Sequence, residues 1–189
     1  MVAGLGRILF RHRGWLPVPL LLTQLALGGA APWPFVLLGV ALLILGEALR
    51  LWAVGHIGPQ SRTRAEGTFG LVRSGPYALV RNPLYVANGL LWLGVGALSG
   101  LGWIAAWALY AAALYVPVVL WEEQNLQAAL GDPYHRYRSE VPRFLPRRWS
   151  AGVGEGRWDR LTATRSERST LVAIAVVVAI FAGLRLSGQ

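Results

Sequence analysis

The chain has no cysteine and no lysine, and it carries few charged residues of any kind. Only 14% of its 189 residues are charged, against 54% that are hydrophobic, whereas a soluble domain usually carries about a quarter charged residues. Without cysteine, the chain can form no disulfide, no thiolate metal site and no cysteine nucleophile, and we expect no metal site. The low charge and the clustered apolar residues predict an integral membrane protein.

All 18 basic residues are arginines, and their distribution predicts the topology. Three lie before the first apolar run, four between the second and third runs, and nine between the fourth and fifth. The short turns near Pro32 and Gly100 contain none. Because positive charge accumulates on the cytoplasmic side, we expect the polar segments in the cytoplasm, beside a bacterial-type inner membrane. This topology, rather than nucleic-acid binding, explains the net charge of +9.

Five apolar runs predict an all-α fold, a polytopic membrane bundle of about five transmembrane helices whose cytoplasmic loops form a ligand pocket. The runs cover residues 15–30, 33–56, 83–99, 101–121 and 171–186. The last is short against the roughly 20 residues that cross a bilayer. We expect a membrane domain over residues 1–146, a cytoplasmic linker over 147–170 and a C-terminal transmembrane helix over 171–189.

Two polar segments interrupt the apolar runs. The first polar segment, residues 71–85, reads LVRSGPYALVRNPLY, and the second, residues 121–146, reads WEEQNLQAALGDPYHRYRSEVPRFLP. In the first, Ser74-Gly75-Pro76 predicts a turn, and Asn82-Pro83 predicts a helix start with asparagine as the N-cap. Free N–H groups at a helix start suit a carboxylate or phosphate. The alternative interpretation is a capped membrane helix with interfacial tyrosines and arginines.

Acidic residues at two places in the apolar runs need cationic partners. Glu47 and Arg50 are three apart on one helix face; they mark either a functional site or a structural ion pair, since charges inside a span are costly. Glu122 and Glu123 are adjacent, so they do not share a face. Acidic groups at a helix C-terminus oppose its dipole, which favours a partner that is either an arginine or a positively charged ligand.

Three motifs in order give the chain a family resemblance. Residues 71–85 resemble the LVxSGPYxxxRHPxY motif of the isoprenylcysteine carboxyl methyltransferase family, which is itself similar to the bacterial phospholipid N-methyltransferases. Residues 122–143 resemble that family's EExxL…FGxxYxxYxxxVPRF block, and residues 49–53 resemble its LRxWA helix. The resemblance covers residues 46–146, over half of the chain.

The resemblance implies an S-adenosylmethionine-dependent methyltransferase whose active site lies at the cytoplasmic membrane face. Its motifs place the cofactor contacts at Phe69, Gly70, Leu71, Val72, Tyr77, Asn82, Pro83, Leu84, Tyr85 and Glu122. The tyrosines suit adenine or the sulfonium, the latter by cation–π attraction. The implied acceptor is a lipid or another apolar molecule, with an amine or a thiol as alternatives.

Two positions depart from the family pattern. The family's RHP reads Arg81-Asn82-Pro83, and asparagine cannot titrate, so we expect binding or capping there rather than general-base catalysis. The family's substrate-carboxylate arginine falls on Val118, so Arg50, Arg143 or Arg81 would have to replace it. If the acceptor is an amine, Glu123 or Glu47 is a candidate base.

Two other functional classes compete with the methyltransferase. One is a non-catalytic membrane protein that keeps the fold, which Asn82 and Val118 motivate; cofactor binding would separate it from an enzyme. The other is a small transporter using Glu47 and Arg50, which predicts flux without cofactor. The small size and the two polar segments favour the methyltransferase.

Overall fold

A computed structural model describes residues 2–58, 70–147 and 151–187, and within these ranges all regular structure is helical. This confirms the predicted all-α class. The helices are α1 (Val2–His12), α2 (Pro17–Leu27), α3 (Trp33–Ile57), α4 (Pro83–Ala97), α5 (Leu101–Leu130), α6 (Asp132–Glu140) and α7 (Arg160–Leu186). Short 3-10 turns cover Gly75–Ala78 and Ala151–Gly154.

Among the described helices, three are long and apolar enough to cross a membrane, where the sequence predicts about five. These are α3, α5 and α7, while α2 and α4 are apolar but shorter. The 15 residues of α4 extend about 22 Å, less than a hydrocarbon core of about 30 Å. Because α4 packs between α3 and α5, its apolar surface is partly covered by protein.

Glycines bring α3 and α4 together. A Cβ atom on Gly39 would lie 2.9 Å from the carbonyl oxygen of Gly94, and a Cβ on Gly94 would lie 2.9 Å from that of Gly39. Small residues at such positions allow membrane helices to approach backbone to backbone. The pairing fixes the first polar segment, which leads into α4, against the end of α3.

Helix α7 runs antiparallel to α3 along its whole length. The Asp159 N–H donates to the Gly55 carbonyl at 2.9 Å near one end, and Arg185 Nη1 donates to the Ala31 carbonyl at 2.5 Å near the other. Asp159 caps α7 by accepting from the Thr162 N–H at 3.1 Å. The helix therefore begins eleven residues before the apolar run at Leu171, so residues 160–170 of the predicted linker are helical.

The end of the bundle away from the polar segments is closed by a buried glutamine. Gln24 is fully buried; its Nε2 donates to the Val95 carbonyl at 2.8 Å, and its Oε1 accepts from Trp107 Nε1 at 2.6 Å. The Trp107 ring stacks on Trp92 with centroids 4.4 Å apart. Since its amide is hydrogen-bonded on both sides, Gln24 has a structural role.

Candidate functional site

The two polar segments are joined at Glu123. Its carboxylate, 4% exposed, accepts from Arg81 Nε at 3.0 Å and Asn82 Nδ2 at 2.9 Å in the first polar segment. It also accepts from Arg143 Nη2 at 2.8 Å in the second. This hydrogen bond raises the pKa of Arg143 above its usual value. Glu123 thus fastens the start of α4 to the end of the second polar segment.

Backbone contacts reinforce this junction. The Arg81 N–H donates to the Pro142 carbonyl at 2.8 Å, and Tyr137 Oη donates to the Tyr77 carbonyl at 2.7 Å. Burial raises the pKa of Tyr137 above its usual value, so the phenol keeps its proton and remains a donor. The polar segments therefore form one continuous structure beside the membrane helices.

Asn82 occupies the predicted N-cap position but does not cap the helix. It directly precedes α4, yet its side chain accepts no hydrogen bond from the first turn. Its amide nitrogen donates to Glu123 Oε1 at 2.9 Å. The predicted capping role of Asn82 is therefore wrong: its amide nitrogen is held by Glu123, and its side chain accepts no N–H of the first turn.

The turn at Gly75 docks the first polar segment on the end of α3. Gly75 has φ +61°, and a Cβ atom there would collide with the ring of His56, so this position requires glycine. The adjacent Ser74 Oγ lies 3.2 Å from His56 Nδ1. This docking carries the next residues, Pro76 and Tyr77, into the protein interior.

Tyr77 has a buried phenol with an unmatched hydroxyl. The residue is 6% exposed, and its Oη has no hydrogen-bond partner among the residues that the structure describes. Burial raises the pKa of Tyr77 well above its usual value, and nearby Glu122 acts in the same direction. A buried hydroxyl without a partner costs about 1–3 kcal/mol, which makes the Tyr77 hydroxyl a candidate ligand contact.

Glu122 and Glu123 face different surroundings, as adjacent helix residues must. Glu122 interacts with Tyr85 in the first turn of α4 and with Arg13 just after α1. The Tyr85 ring packs on Tyr115 with centroids 5.3 Å apart. Glu122 and Tyr85, both predicted cofactor ligands, are thus brought together on the bundle side of α5.

Arg50 lies in a polar cluster inside the bundle. Its Nε donates to Glu167 Oε2 at 2.8 Å and its Nη2 to Glu167 Oε1 at 3.1 Å. Glu47 Oε2 lies 3.9 Å from Arg50 Nε on the same helix, and Arg50 Nη1 donates to Asn88 Oδ1 of α4. The predicted Glu47–Arg50 pair is therefore part of a larger cluster, and Glu167 is its closest carboxylate.

The remaining predicted residues lie around these centres. Gly70 is exposed, while Leu71 and Val72 are half-buried and lead to the turn; Leu71 packs on the Tyr134–Tyr137 cluster. Pro83 and Leu84 open α4. Phe69 lies outside the described residues. The cofactor roles of these positions stay predictions.

Val118 is fully buried where the family pattern has an arginine. It belongs to a cluster with Leu114 and Tyr115, and Leu9 and Phe10 of α1 pack against it. Apolar side chains from α1 therefore border the place where a carboxylate-binding arginine would lie.

Sequence reasoning gave no site role to Arg13, Asn88 or Glu167. Glu167 had a readable signal: it is the only acidic residue after Asp159, one helical turn before an apolar run. An acid there predicts a cationic partner inside the bundle, and Arg50 is that partner. Asn88 and Arg13 gave no comparable signal. Within the described part of the chain, no group of three or more His, Cys, Asp or Glu side chains is arranged to hold a metal ion.

Comparison with known proteins supplies relatives and a family. The chain is 36% identical over 157 residues to the "Cobalt-zinc-cadmium resistance protein CzcN" of Cupriavidus metallidurans, which covers 82% of this chain and 63% of that protein. It is 30% identical over 152 residues to the "Nickel-cobalt-cadmium resistance protein NccN" of Alcaligenes xylosoxydans xylosoxydans, covering 76% and 68%. This chain thus spans about two thirds of the length of these relatives.

No solved structure matches the chain. The model of the phospholipid methyltransferase family matches residues 34–132, a range that contains Arg50, Tyr77, the start of α4 and both adjacent glutamates. Since that match covers just over half of the sequence, the chain belongs to the phospholipid methyltransferase family.

Proposed function

We propose that this protein is a membrane methyltransferase that uses S-adenosylmethionine and methylates the polar head of an apolar acceptor. The observation that carries the proposal is the buried hydroxyl of Tyr77 in the first polar segment, which has no hydrogen-bond partner among the described residues. Family membership supplies the reaction class, and Tyr77, Tyr85 and Glu122 supply a place for the cofactor.

The residues of this place fit the chemistry of that cofactor. S-adenosylmethionine supplies a methyl group on a positively charged sulfur, together with an amino group and a carboxylate. Glu122 would bind the amino group by a charge-assisted hydrogen bond. The aromatic faces of Tyr77 and Tyr85 would attract the sulfonium, and the N-terminus of α4 would suit the carboxylate.

The charges around the site disfavour an anionic acceptor. Arg81 and Arg143 are both paired with Glu123, and Arg50 is paired with Glu167. The charge of each of these arginines is already balanced by a carboxylate of the protein, so they attract an anionic acceptor less strongly than unpaired arginines would. With Val118 in place of the family's arginine, we favour an amine or another uncharged head over a prenylcysteine carboxylate.

An amine acceptor requires a base. Of the two predicted candidates, Glu123 already accepts hydrogen bonds at both oxygens from Arg81, Asn82 and Arg143. Glu47 is buried in the bundle, with Oε2 3.9 Å from Arg50 Nε. We therefore assign proton removal to Glu47 and a fastening role to Glu123. The remaining task of the protein is to align the reactants and exclude water.

The test is calorimetric binding of S-adenosylmethionine and S-adenosylhomocysteine to the detergent-purified protein. We expect both to bind, and Tyr85→Ala and Glu122→Ala to weaken binding while the protein stays folded. Transfer of labelled methyl groups is then measured on vesicles containing phosphatidylethanolamine, with phosphatidylglycerol vesicles as the matched control without an amine. Well-folded protein that binds neither compound would instead support a non-catalytic membrane protein.

A role in metal resistance is the second candidate, and the names of the two relatives favour it. We propose that such a role would depend on methyl transfer. In a host made cobalt- and cadmium-sensitive by deletion of the gene, wild-type protein should restore growth and Glu122→Ala should not. If wild-type protein and Glu122→Ala restored growth equally, metal resistance would not depend on methyl transfer.

A further inference from the structure

Helix α7 contributes one fully buried carboxylate to the bundle. Glu167 is 0% exposed, and both of its oxygens accept from Arg50, at 2.8 and 3.1 Å. Burying such a pair costs desolvation free energy that the attraction often does no more than offset. Stability alone therefore does not explain why Glu167 and Arg50 are paired inside the bundle. Their place beside the proposed methyl-transfer site suggests a functional reason.

Arg50 has a second carboxylate within reach on its own helix. Glu47 lies three residues earlier, with Oε2 3.9 Å from Arg50 Nε. Glu167 offers a shorter contact and two parallel hydrogen bonds, which is the stronger arrangement. In this position the guanidinium also donates through Nη1 to Asn88 of α4. Arg50 thus links α3, α4 and α7 at one point.

Asn88 connects this point to the proposed cofactor residues. It lies one helical turn after Tyr85 in α4. The Tyr85 ring packs on Tyr115, whose Oη accepts from Trp92 Nε1 at 2.9 Å. The position of the Arg50 guanidinium therefore constrains the first two turns of α4, where Tyr85 faces Glu122.

We infer that Glu167 is a positioning residue of the methyl-transfer site: by holding Arg50 against Asn88, it fixes the start of α4 and the ring of Tyr85. The inference rests on the proposed function. It brings into the site a helix that lies wholly beyond residues 34–132, the range that the family model matches. Without the charge at position 167, Arg50 turns to Glu47 and its link to α4 is lost.

The test uses the full chain and calorimetric binding of S-adenosylhomocysteine. Glu167→Gln keeps the shape but removes the charge, and we expect the dissociation constant to rise about tenfold, because small displacements of positioned groups are costly. Glu167→Asp keeps the charge and should remain within about threefold of wild type, a difference of well under 1.4 kcal/mol.

Asp159→Ala is the matched control. It removes the cap of α7 without touching Arg50, so it should lower the melting temperature yet leave the affinity of the folded protein unchanged. A double-mutant cycle with Asn88→Ala adds a readout that a structural role would not move. If both residues act through Arg50, Glu167→Gln/Asn88→Ala should bind no more weakly than the weaker single variant.

The outcomes separate the two proposals. No binding by wild-type protein overturns the proposed function and this inference with it. Wild-type affinity in folded Glu167→Gln, or additive losses in the cycle, overturns only the inference. If Glu167→Gln does not fold, Asn88→Ala tests the same link from α4, and wild-type affinity in that folded variant is the refuting result.

Discussion

Glu122 and Glu123 are neighbours in one helix, yet they differ in what surrounds them. Glu123 is bound by donors from both polar segments, from Arg81, Asn82 and Arg143. Glu122 faces Tyr85 and Arg13, near the unmatched hydroxyl of Tyr77. A carboxylate whose oxygens are all engaged by its own protein indicates a structural role. One that lies beside an unmatched polar group is a candidate for binding a ligand.

The largest effect should come from removing the engaged carboxylate. Glu123→Ala leaves Arg81 and Arg143 without their partner, and we expect the free energy of unfolding to fall by about 3 kcal/mol. Glu122→Ala should lower it by less than about 1 kcal/mol. Thermal unfolding of both variants in the same detergent measures the difference, and equal losses would show that the two glutamates have equivalent roles.

Asn82 offers a smaller change at the same junction. Asn82→Asp is nearly isosteric but replaces a donor to Glu123 with a second carboxylate, which should cost about 2 kcal/mol. Asn82→His keeps an N–H donor and restores the family's residue, so we expect it to cost less. A histidine variant less stable than the aspartate variant would mean that size, rather than hydrogen bonding, governs this position.

Tyr137 and Tyr77 are both buried, but their hydroxyls differ. That of Tyr137 donates to a carbonyl, whereas that of Tyr77 has no hydrogen-bond partner among the described residues. Tyr137→Phe removes the hydrogen bond to the Tyr77 carbonyl and should cost about 1 kcal/mol of stability. Tyr77→Phe removes a hydroxyl without a partner, so stability should be unchanged or slightly higher. The same Tyr77 variant should bind S-adenosylhomocysteine several-fold more weakly. Unaltered binding, with stability reduced as in Tyr137→Phe, would remove the main support for the cofactor site.

The smallest effect is expected at the surface. Arg73 and Glu140 form an ion pair whose side chains are 49% and 53% exposed. Exposed pairs contribute about 0–1 kcal/mol, so Arg73→Ala should lower the free energy of unfolding by no more than about 0.5 kcal/mol. A loss comparable to that of Glu123→Ala would show that this pair, too, holds the polar segments together.

The sequence determined the fold class, because long apolar runs in a membrane protein leave the backbone little choice but helix. It also located the two polar segments, since motifs such as SGPY and RNP encode local turns and helix starts. The number of membrane-spanning helices was harder to predict from the sequence. The length of a run does not reveal that α4 is partly covered by α3 and α5, or that α7 begins eleven residues before its apolar run.

Only the tertiary structure decided which charges meet. Sequence spacing predicts that Glu47 pairs with Arg50. Because α7 packs antiparallel to α3, however, Arg50 forms its closest ion pair with Glu167, 117 residues away. Likewise, the sequence predicts that the Asn82 side chain caps α4, whereas in the fold its Nδ2 donates to Glu123 Oε1 at 2.9 Å and it accepts no N–H of the first turn. Helical periodicity fixes which residues share a face, but partners on different helices depend on how those helices pack, and that is set by contacts distributed along the whole chain.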